Sequence, residues 1–378
     1  MDYRKDFADF EGVAYLDIAT QGVFPNASAA AARQAIEWKK RPDTLPAGIY
    51  FDLPNRVREK LGAVVGASPD DIAIATGATS GMTAVAVGMD FQPGDEVLIA
   101  KGEFPSHFST WVPYQRAGRM TLKVVAPRGR FLTADDYIES LGPHTKLVSA
   151  SLVRFDNGAK LDAKRVAKAC HDHGIAFLLD ISQAAGAVHI DLRDINADFA
   201  VSSGYKWLLG PYGAGFFWVN PASIKKLELG PVNWMSVDGS HNFSGLTNPD
   251  IKLLPGARRW DAAEPGSFSN LSAVEGSLDF ILRVGVAEIV RLNRELQQEI
   301  IDRLPRDRCV LASPASADER GPYVCIQARK TDETVGLHQK LIASQVIVAL
   351  REGAIRISPY LFNTSDHITR LVKALSVA

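Results

Sequence analysis

The pattern of apolar and polar positions divides this chain into two textures. Through the middle, short apolar runs of strand length alternate with stretches whose apolar residues recur at helical spacing. The runs at residues 96–100, 122–125, 146–151, 176–180, 199–202 and 215–219 predict strands. Between them lie amphipathic segments; over residues 163–173, Val166, Ala167 and Cys170 fall on one helical face. Alternation of this kind predicts an α/β fold, with a mostly parallel sheet covered by helices on both faces.

Past residue 257 the texture changes. One long helical pattern covers residues 270–304 and is ended by Pro305. Strands are predicted at 323–327 and 354–358, and helices near 334–341 and 365–375. These elements predict a smaller α+β domain over 258–378, after a large domain over 26–257. Residues 1–25 are expected to form an N-terminal arm packing with the small domain. The Pro- and Gly-rich residues 229–256 predict a long loop, of a length usually functional or mobile in a compact enzyme.

Composition narrows the classes. Of 378 residues, 46% are hydrophobic and 22% charged, with a formal net charge of −1, which fits a globular protein and offers no basic surface for nucleic acid. The apolar runs are too short to span a bilayer, so no membrane role is expected. Residues 1–10 lack the apolar core of a signal peptide. Cys170, Cys309 and Cys325 show neither metal spacing nor a C-x-x-C pair; a cytoplasmic, reducing compartment is expected.

Three segments carry candidate chemistry. In Leu178-Leu179-Asp180-Ile181-Ser182-Gln183, an apolar strand runs into an acid at its C-terminal end, where ligands of open α/β sheets collect. Asp180 also reads as a helix N-cap. Twenty-six residues further comes Ser202-Ser203-Gly204-Tyr205-Lys206-Trp207, followed by Leu-Leu-Gly-Pro-Tyr-Gly-Ala-Gly. A lysine in that turn could form an imine with a carbonyl cofactor; standing alone it would read as a surface lysine. Upstream, Ala75-Thr76-Gly77-Ala78-Thr79-Ser80-Gly81 opens a helical pattern at 82–87. Small and hydroxyl residues there suit either a phosphate cradle at a helix N-terminus or an ordinary capped loop.

Taken in order, the small-residue loop, Asp-x-x-Gln and Ser-x-Tyr-Lys resemble the class V aminotransferase group of fold-type I pyridoxal-phosphate enzymes, which includes cysteine desulfurases, kynureninase and isopenicillin N epimerase. The resemblance runs from Tyr15-Leu16-Asp17 to the C-terminal helix. It implies a seven-stranded-type sheet and pyridoxal 5′-phosphate as cofactor, held as a Schiff base on Lys206. Lys206 would then serve as base and acid at the substrate Cα. By the same resemblance Asp180 pairs with the ring nitrogen, Gln183 lies near the ring hydroxyl, and Ala78, Thr79, Ser203 and Tyr205 contact the phosphate. Glu103-Phe104-Pro105-Ser106 resembles the kynureninase-type segment whose Phe stacks on the ring, which makes Phe104 the stacking candidate. His107 beside it reads as structural or as a supporting polar group. Trp234 falls where kynureninase has a tryptophan near the cofactor; a loop-anchoring aromatic is the alternative. Arg356, in Arg351-Glu352-Gly353-Ala354-Ile355-Arg356, would clamp the substrate carboxylate, with Arg351 as the fallback.

The chain departs from the group's patterns in places. No Cys stands between Arg351 and Arg356, where desulfurases insert a Cys-bearing loop. Cys170 and Cys325 read as core residues, and Cys309 is undecided. Asn157 is near, but out of register with, a desulfurase Asn. Glu264 stands where kynureninase has a phosphate-side Asn. The resemblance implies an enzyme acting at the Cα of an amino acid, with an aminotransferase using an oxo acid acceptor as the leading reading. A carbon–sulfur β-lyase or an epimerase is the alternative, and a desulfurase comes after these. A homodimer is expected, with residues 260–268 as the segment donated to the partner's site.

Overall fold

The computed structural model describes residues 2–376 apart from 229, 231, 246, 248–250 and 266. A first short strand, β1 (Ala14–Tyr15), lies outside the main sheet. That sheet has seven strands: β2 (Ile72–Ala75), β3 (Glu96–Ala100), β4 (Thr121–Val125), β5 (Thr145–Ser151), β6 (Ala176–Asp180), β7 (Phe199–Ser203) and β8 (Gly215–Val219). Their spatial order is β2-β8-β7-β6-β5-β3-β4. Strands β4, β3, β5, β6 and β7 are parallel, whereas β8 runs antiparallel to both of its neighbours.

Every strand expected in this region forms, within a residue at each end. Strand β2 was not expected: Ile-Ala-Ile-Ala is four residues long and half alanine, a weak strand signal. Successive side chains of the sheet enter opposite cores. Ile72, Ile74, Leu98, Phe177, Leu179 and Ala200 pack on one face, and Ala73, Val97, Ile99, Leu178, Phe199 and Val201 on the other. Both faces are therefore covered, which explains why β6 and β7 read as unbroken apolar runs.

The helix expected over 270–304 is instead two helices, Phe268–Val284 and Val286–Asp302, separated at Gly285. Gly285 has φ 84°, a left-handed conformation that glycine adopts without cost. It ends the first helix and opens the second, a break hidden by the continuous apolar pattern. The first of the two packs on the helices Asn26–Lys40 and Ile49–Val65. The second packs with Ser365–Ser376 and against a four-stranded antiparallel sheet.

That sheet is built from β9 (Cys309–Leu311) and β10 (Val324–Ala328), then, past the short β11 (Val346–Ile347), from β12 (Ala349–Arg351) and β13 (Ala354–Ile357), in the order β12-β13-β10-β9. Strand β11 pairs in parallel with β1. The N-terminal segment thus runs along the smaller sheet, bridges Asp17 to Ser358, and reaches the main sheet where Gly22 N–H donates to the Tyr205 carbonyl at 2.7 Å. Between β8 and Phe268 the described residues form only short 3₁₀ turns, among them Trp234–Ser236, and a bridge from Val237 to Leu253. Among the described residues no helix is long and apolar enough to cross a membrane.

Candidate active site

The C-terminal ends of β2, β3, β5, β6 and β7 converge on one edge of the sheet, around a cavity of about 280 Å³. Its lining includes Gly77, Ala78, Thr79, Phe104, Phe155, Asp180, Gln183, Ser203, Tyr205, Lys206 and Tyr212. Residues far apart in sequence meet here because parallel strands all deliver their ends to the same side.

Lys206 lies on the turn between β7 and β8 and is buried. Burial pushes its ammonium down to about 8; Asp180 partly opposes this, and the charges of Arg356 and Arg351 add to it. A larger share of this lysine is therefore an unprotonated nucleophile near neutral pH than of a surface lysine. Its Nζ lies 5.2 Å from the centre of the Phe104 ring and 5.5 Å from that of Tyr205. The turn is held firmly: Leu209 N–H donates to the Lys206 carbonyl at 3.0 Å, and Leu209 itself adopts φ 56°. Gly22 presses on the same carbonyl, and a Cβ there would stand 2.1 Å from the oxygen.

Asp180 closes β6. Its Oδ1 accepts from the Ser182 N–H at 2.8 Å, and Oδ2 lies 3.6 Å from His107 Nε2. The backbone beyond it turns without forming a helix, so the N-cap reading does not hold. Although burial raises it, hydrogen bonding and the charge of His107 bring the Asp180 carboxyl below its usual value. Gln183 is engaged at both ends, donating to the Ala19 carbonyl at 3.0 Å and accepting from Trp207 Nε1 at 2.9 Å. One amide N–H is left over for a ligand.

The helix Ala78–Gly88 starts at the cavity, so its first unpaired N–H groups and positive dipole end border it. Thr79 Oγ1 and Ser106 Oγ are 2.8 Å apart, tying this helix start to the Phe104 segment. The buried Ser203 hydroxyl has no hydrogen-bond partner among the described residues, an acceptor and donor left available at the cavity wall. Tyr205 stacks on the exposed Tyr212 with centroids 4.1 Å apart. These features fit pyridoxal phosphate: a desolvated amine, a carboxylate at ring depth, an aromatic plate, and an N-terminal helix turn with a free hydroxyl for a phosphate.

Arg356, on β13, is buried behind this wall. It donates from Nη1 to the Phe155 carbonyl at 3.2 Å and from Nη2 to Thr20 Oγ1 at 2.6 Å, and Nη2 is 3.7 Å from Asp17. Its Nε has no partner among the described residues. Arg351 reaches the same Thr20 hydroxyl at 3.1 Å. Thr20 is thus a shared anchor that the sequence reading missed; only its proximity to the Tyr15-Leu16-Asp17 motif pointed to it. Phe155, which packs edge-on against Phe104 with centroids 5.3 Å apart, was also missed.

Two expected residues lie elsewhere. Trp234 is outside the cavity, partly exposed and packed with Phe51 and Phe243, as a loop-anchoring aromatic would be. Trp260, first of the segment expected to reach a partner, is buried within its own chain against Phe217. Next to it, buried Asp261 pairs with buried Arg58. Glu264 is exposed and lines no part of the cavity. All three cysteines are buried, and no thiol lines the cavity. Cys309 sits in β9, which settles it as a core residue.

Residues 50–371 match the family described as "Aminotransferase class-V". Among curated proteins, a "Probable cysteine desulfurase" of Methanothermobacter thermautotrophicus is 26% identical, covering 99% of this chain and 96% of that protein. Isopenicillin N epimerase of Streptomyces clavuligerus is 26% identical over 85% of this chain and 83% of its own length. In fold, the chain is similar to C-DES, described as a cystine C–S lyase. A C-DES mutant with glycine covalently linked to its PLP cofactor superposes with a TM-score of 0.88, at 20% identity and 98% coverage of both chains.

Proposed function

The chain belongs to the class-V aminotransferase family of pyridoxal-phosphate enzymes, and on that premise we propose that it is an aminotransferase acting at the Cα of an amino acid. The observation that carries this reading is the buried Lys206 amine, held among Asp180, Phe104 and the start of the Ala78–Gly88 helix in one cavity.

When bound, the cofactor supplies an aldehyde that an amine can join and a ring that withdraws electrons from the Cα substituents. The chain's residues do the rest. Lys206 would hold the cofactor through its amine and, once free, would take and return a proton at the substrate Cα. Asp180 holds the proton on the ring nitrogen, a charge-assisted contact. Phe104 would cover one ring face, Gln183 would offer its spare amide hydrogen to the ring hydroxyl, and Ala78, Thr79, Ser203 and Tyr205 would hold the phosphate. Arg356 takes the carboxylate of the amino acid and then of the oxo acid acceptor.

The acid–base inventory of the cavity favours one-base chemistry. Its titratable lining residues are Asp180, Lys206 and the stacked pair Tyr205 and Tyr212. Around Phe104 the lining is Phe155, Val153, Ser106 and Ser151, which among the described residues offers no second base. Inversion at Cα by two bases is thereby disfavoured, and the absence of a lining thiol disfavours persulfide formation. A carbon–sulfur β-lyase is the second reading, supported by the likeness to C-DES and by the exposed Tyr212 phenol lining the cavity, a proton donor for a leaving group.

We further assign the protein to the cytoplasm and to a homodimer, and divide the chain into an arm (1–25), a large domain (26–257) and a small domain (258–378). The deciding experiment is a scan of amino acids against the cofactor-loaded protein by visible spectroscopy. Full conversion to the pyridoxamine form by one donor, reversed by an oxo acid, establishes transamination. Oxo acid with free ammonia and no acceptor requirement establishes the lyase instead.

A further inference from the structure

From Asp180 and Ser151 at the cavity wall, a buried polar chain runs back into the core. His107 has no solvent exposure. Its Nδ1 is 2.8 Å from Ser149 Oγ, and its Nε2 is 3.5 Å from Ser151 Oγ and 3.6 Å from Asp180 Oδ2. Ser151 Oγ in turn donates to Glu103 Oε1 at 2.8 Å. Glu103 Oε2 lies 3.3 Å from Arg154 Nη1, and Arg154 Nε donates to Asp156 at 3.1 Å.

Proton counting fixes one ring nitrogen. A hydroxyl has a single hydrogen, and that of Ser151 is committed to Glu103. Ser151 can therefore only accept from the imidazole, and Asp180 can only accept as well. His107 Nε2 must carry a hydrogen. Whether Nδ1 carries one too is decided by charge. The groups facing the imidazole are the carboxylates Asp180 and Glu103 on one side of the balance and the Arg154 cation on the other. Asp156 already draws on Arg154, Lys206 lies beyond Asp180, and the buried Tyr137 phenol beside Glu103 is neutral. Without a positive His107, buried Glu103 would depend on a cation that Asp156 also claims, and buried Asp180 would have only Lys206 to balance it, which buried charge does not tolerate cheaply. The Ser149 hydroxyl has its lone pairs free to accept from Nδ1.

We propose that His107 is a positioning residue: an imidazolium locked between Asp180 and Glu103, it keeps the Asp180 carboxylate ionised and aimed at the ring nitrogen of the cofactor. The proposal rests on the reading of Asp180 given above. Burial alone would push the His107 imidazole down, but Glu103 and Asp180 outweigh it and raise it. With the Ser182 hydrogen bonds, the same coupling lowers the Asp180 carboxyl against the effect of burial.

The test uses the full-length protein loaded with pyridoxal phosphate and labelled with ring-13C,15N histidine, followed by NMR across pH. The His107 resonances, assigned by their loss in H107Q, are expected to show both nitrogens still protonated at neutral pH, above the ordinary histidine midpoint. E103Q should move that midpoint down by a unit or more. The visible band of loaded H107Q should show a changed pH midpoint, and H107N, which cannot become a cation, should not restore it. A neutral imidazole at pH 7 in the unaltered protein overturns the proposal, as does an E103Q titration identical to wild type. Neither result touches Lys206 or the aminotransferase reading, which stand on cofactor attachment and the donor scan.

Discussion

The backbone N–H of Gly22 donates to the carbonyl of Tyr205 at 2.7 Å, locking the N-terminal segment onto the turn that carries Lys206. The contact is close enough that no side chain fits: a Cβ on Gly22 would meet the Lys206 carbonyl oxygen at 2.1 Å. We expect G22A to lose about 1–3 kcal/mol of stability, the usual cost of overpacking, and to bind pyridoxal phosphate more weakly. Denaturant unfolding and a cofactor titration measure both. G129A, where a Cβ meets nothing within 4 Å, is the control. Equal behaviour of the two variants would remove the arm from any role in shaping the site.

Lys206 gives a pH signature. Its ammonium is lowered to about 8 by burial, so the rate at which it captures an added aldehyde should rise through pH 8 and level off above. An ordinary lysine would still be rising near pH 10. Stability follows with a definite sign. Between about pH 8 and 10 the unfolded lysine holds a proton that the folded one has lost, so in the cofactor-free protein this group adds stability as pH rises. The span corresponds to roughly 3 kcal/mol, at its least favourable below pH 8. K206M should flatten the dependence, which unfolding curves at several pH values would reveal.

Arg356 and Arg351 share the Thr20 hydroxyl. R356K keeps the charge and loses the planar fork, so kcat/KM should fall roughly 10- to 100-fold, the worth of one charged hydrogen bond. T20V should raise KM for the amino acid while leaving cofactor attachment intact, because it unanchors both guanidinium groups without touching Lys206. Steady-state kinetics on the donor identified by the scan checks each. An unchanged KM in both variants would move the carboxylate site elsewhere.

Away from the cavity, Arg58 and Asp261 form a buried ion pair, and Asp261 also accepts from the Ile74 N–H of β2 at 2.7 Å. Removing one partner strands the other charge, so R58M alone should cost about 3–5 kcal/mol. The double variant R58M/D261N should recover part of that loss. Thermal or denaturant unfolding of the four proteins closes the cycle.

The sheet was legible because its strands, buried on both faces, read as unbroken apolar runs, and because each side-chain cluster sits at a strand end with its own sequence signature. Asp180, Lys206 and Ala78 could be located that way. Gly285 could not: a helix break between two helices with the same apolar spacing leaves no mark except one glycine. Thr20 and Phe155 escaped for another reason, since their importance lies in contacts with residues fifty or more positions away, which no local pattern records. Trp234 was placed near the cofactor through likeness alone, with a loop anchor as the alternative; in the fold it packs on Phe51 and Phe243. His107 was seen as a supporting polar group, but its two carboxylate neighbours come from β6 and from the loop that follows β3, and only the folded sheet brings them together.

Asp180 faces Val201 across the β6–β7 ladder, and Ser203 N–H donates to the Ser182 hydroxyl at 2.9 Å just beyond it. Side chains alternate faces along a strand, so a slip of one residue between these two strands would turn Asp180 away from Lys206 altogether. There is no half-assembled arrangement in which one of the two is correct. The colour of the bound cofactor should therefore vanish in step with the central ladder as the protein unfolds, which makes absorbance a built-in gauge of whether the middle of the sheet is intact.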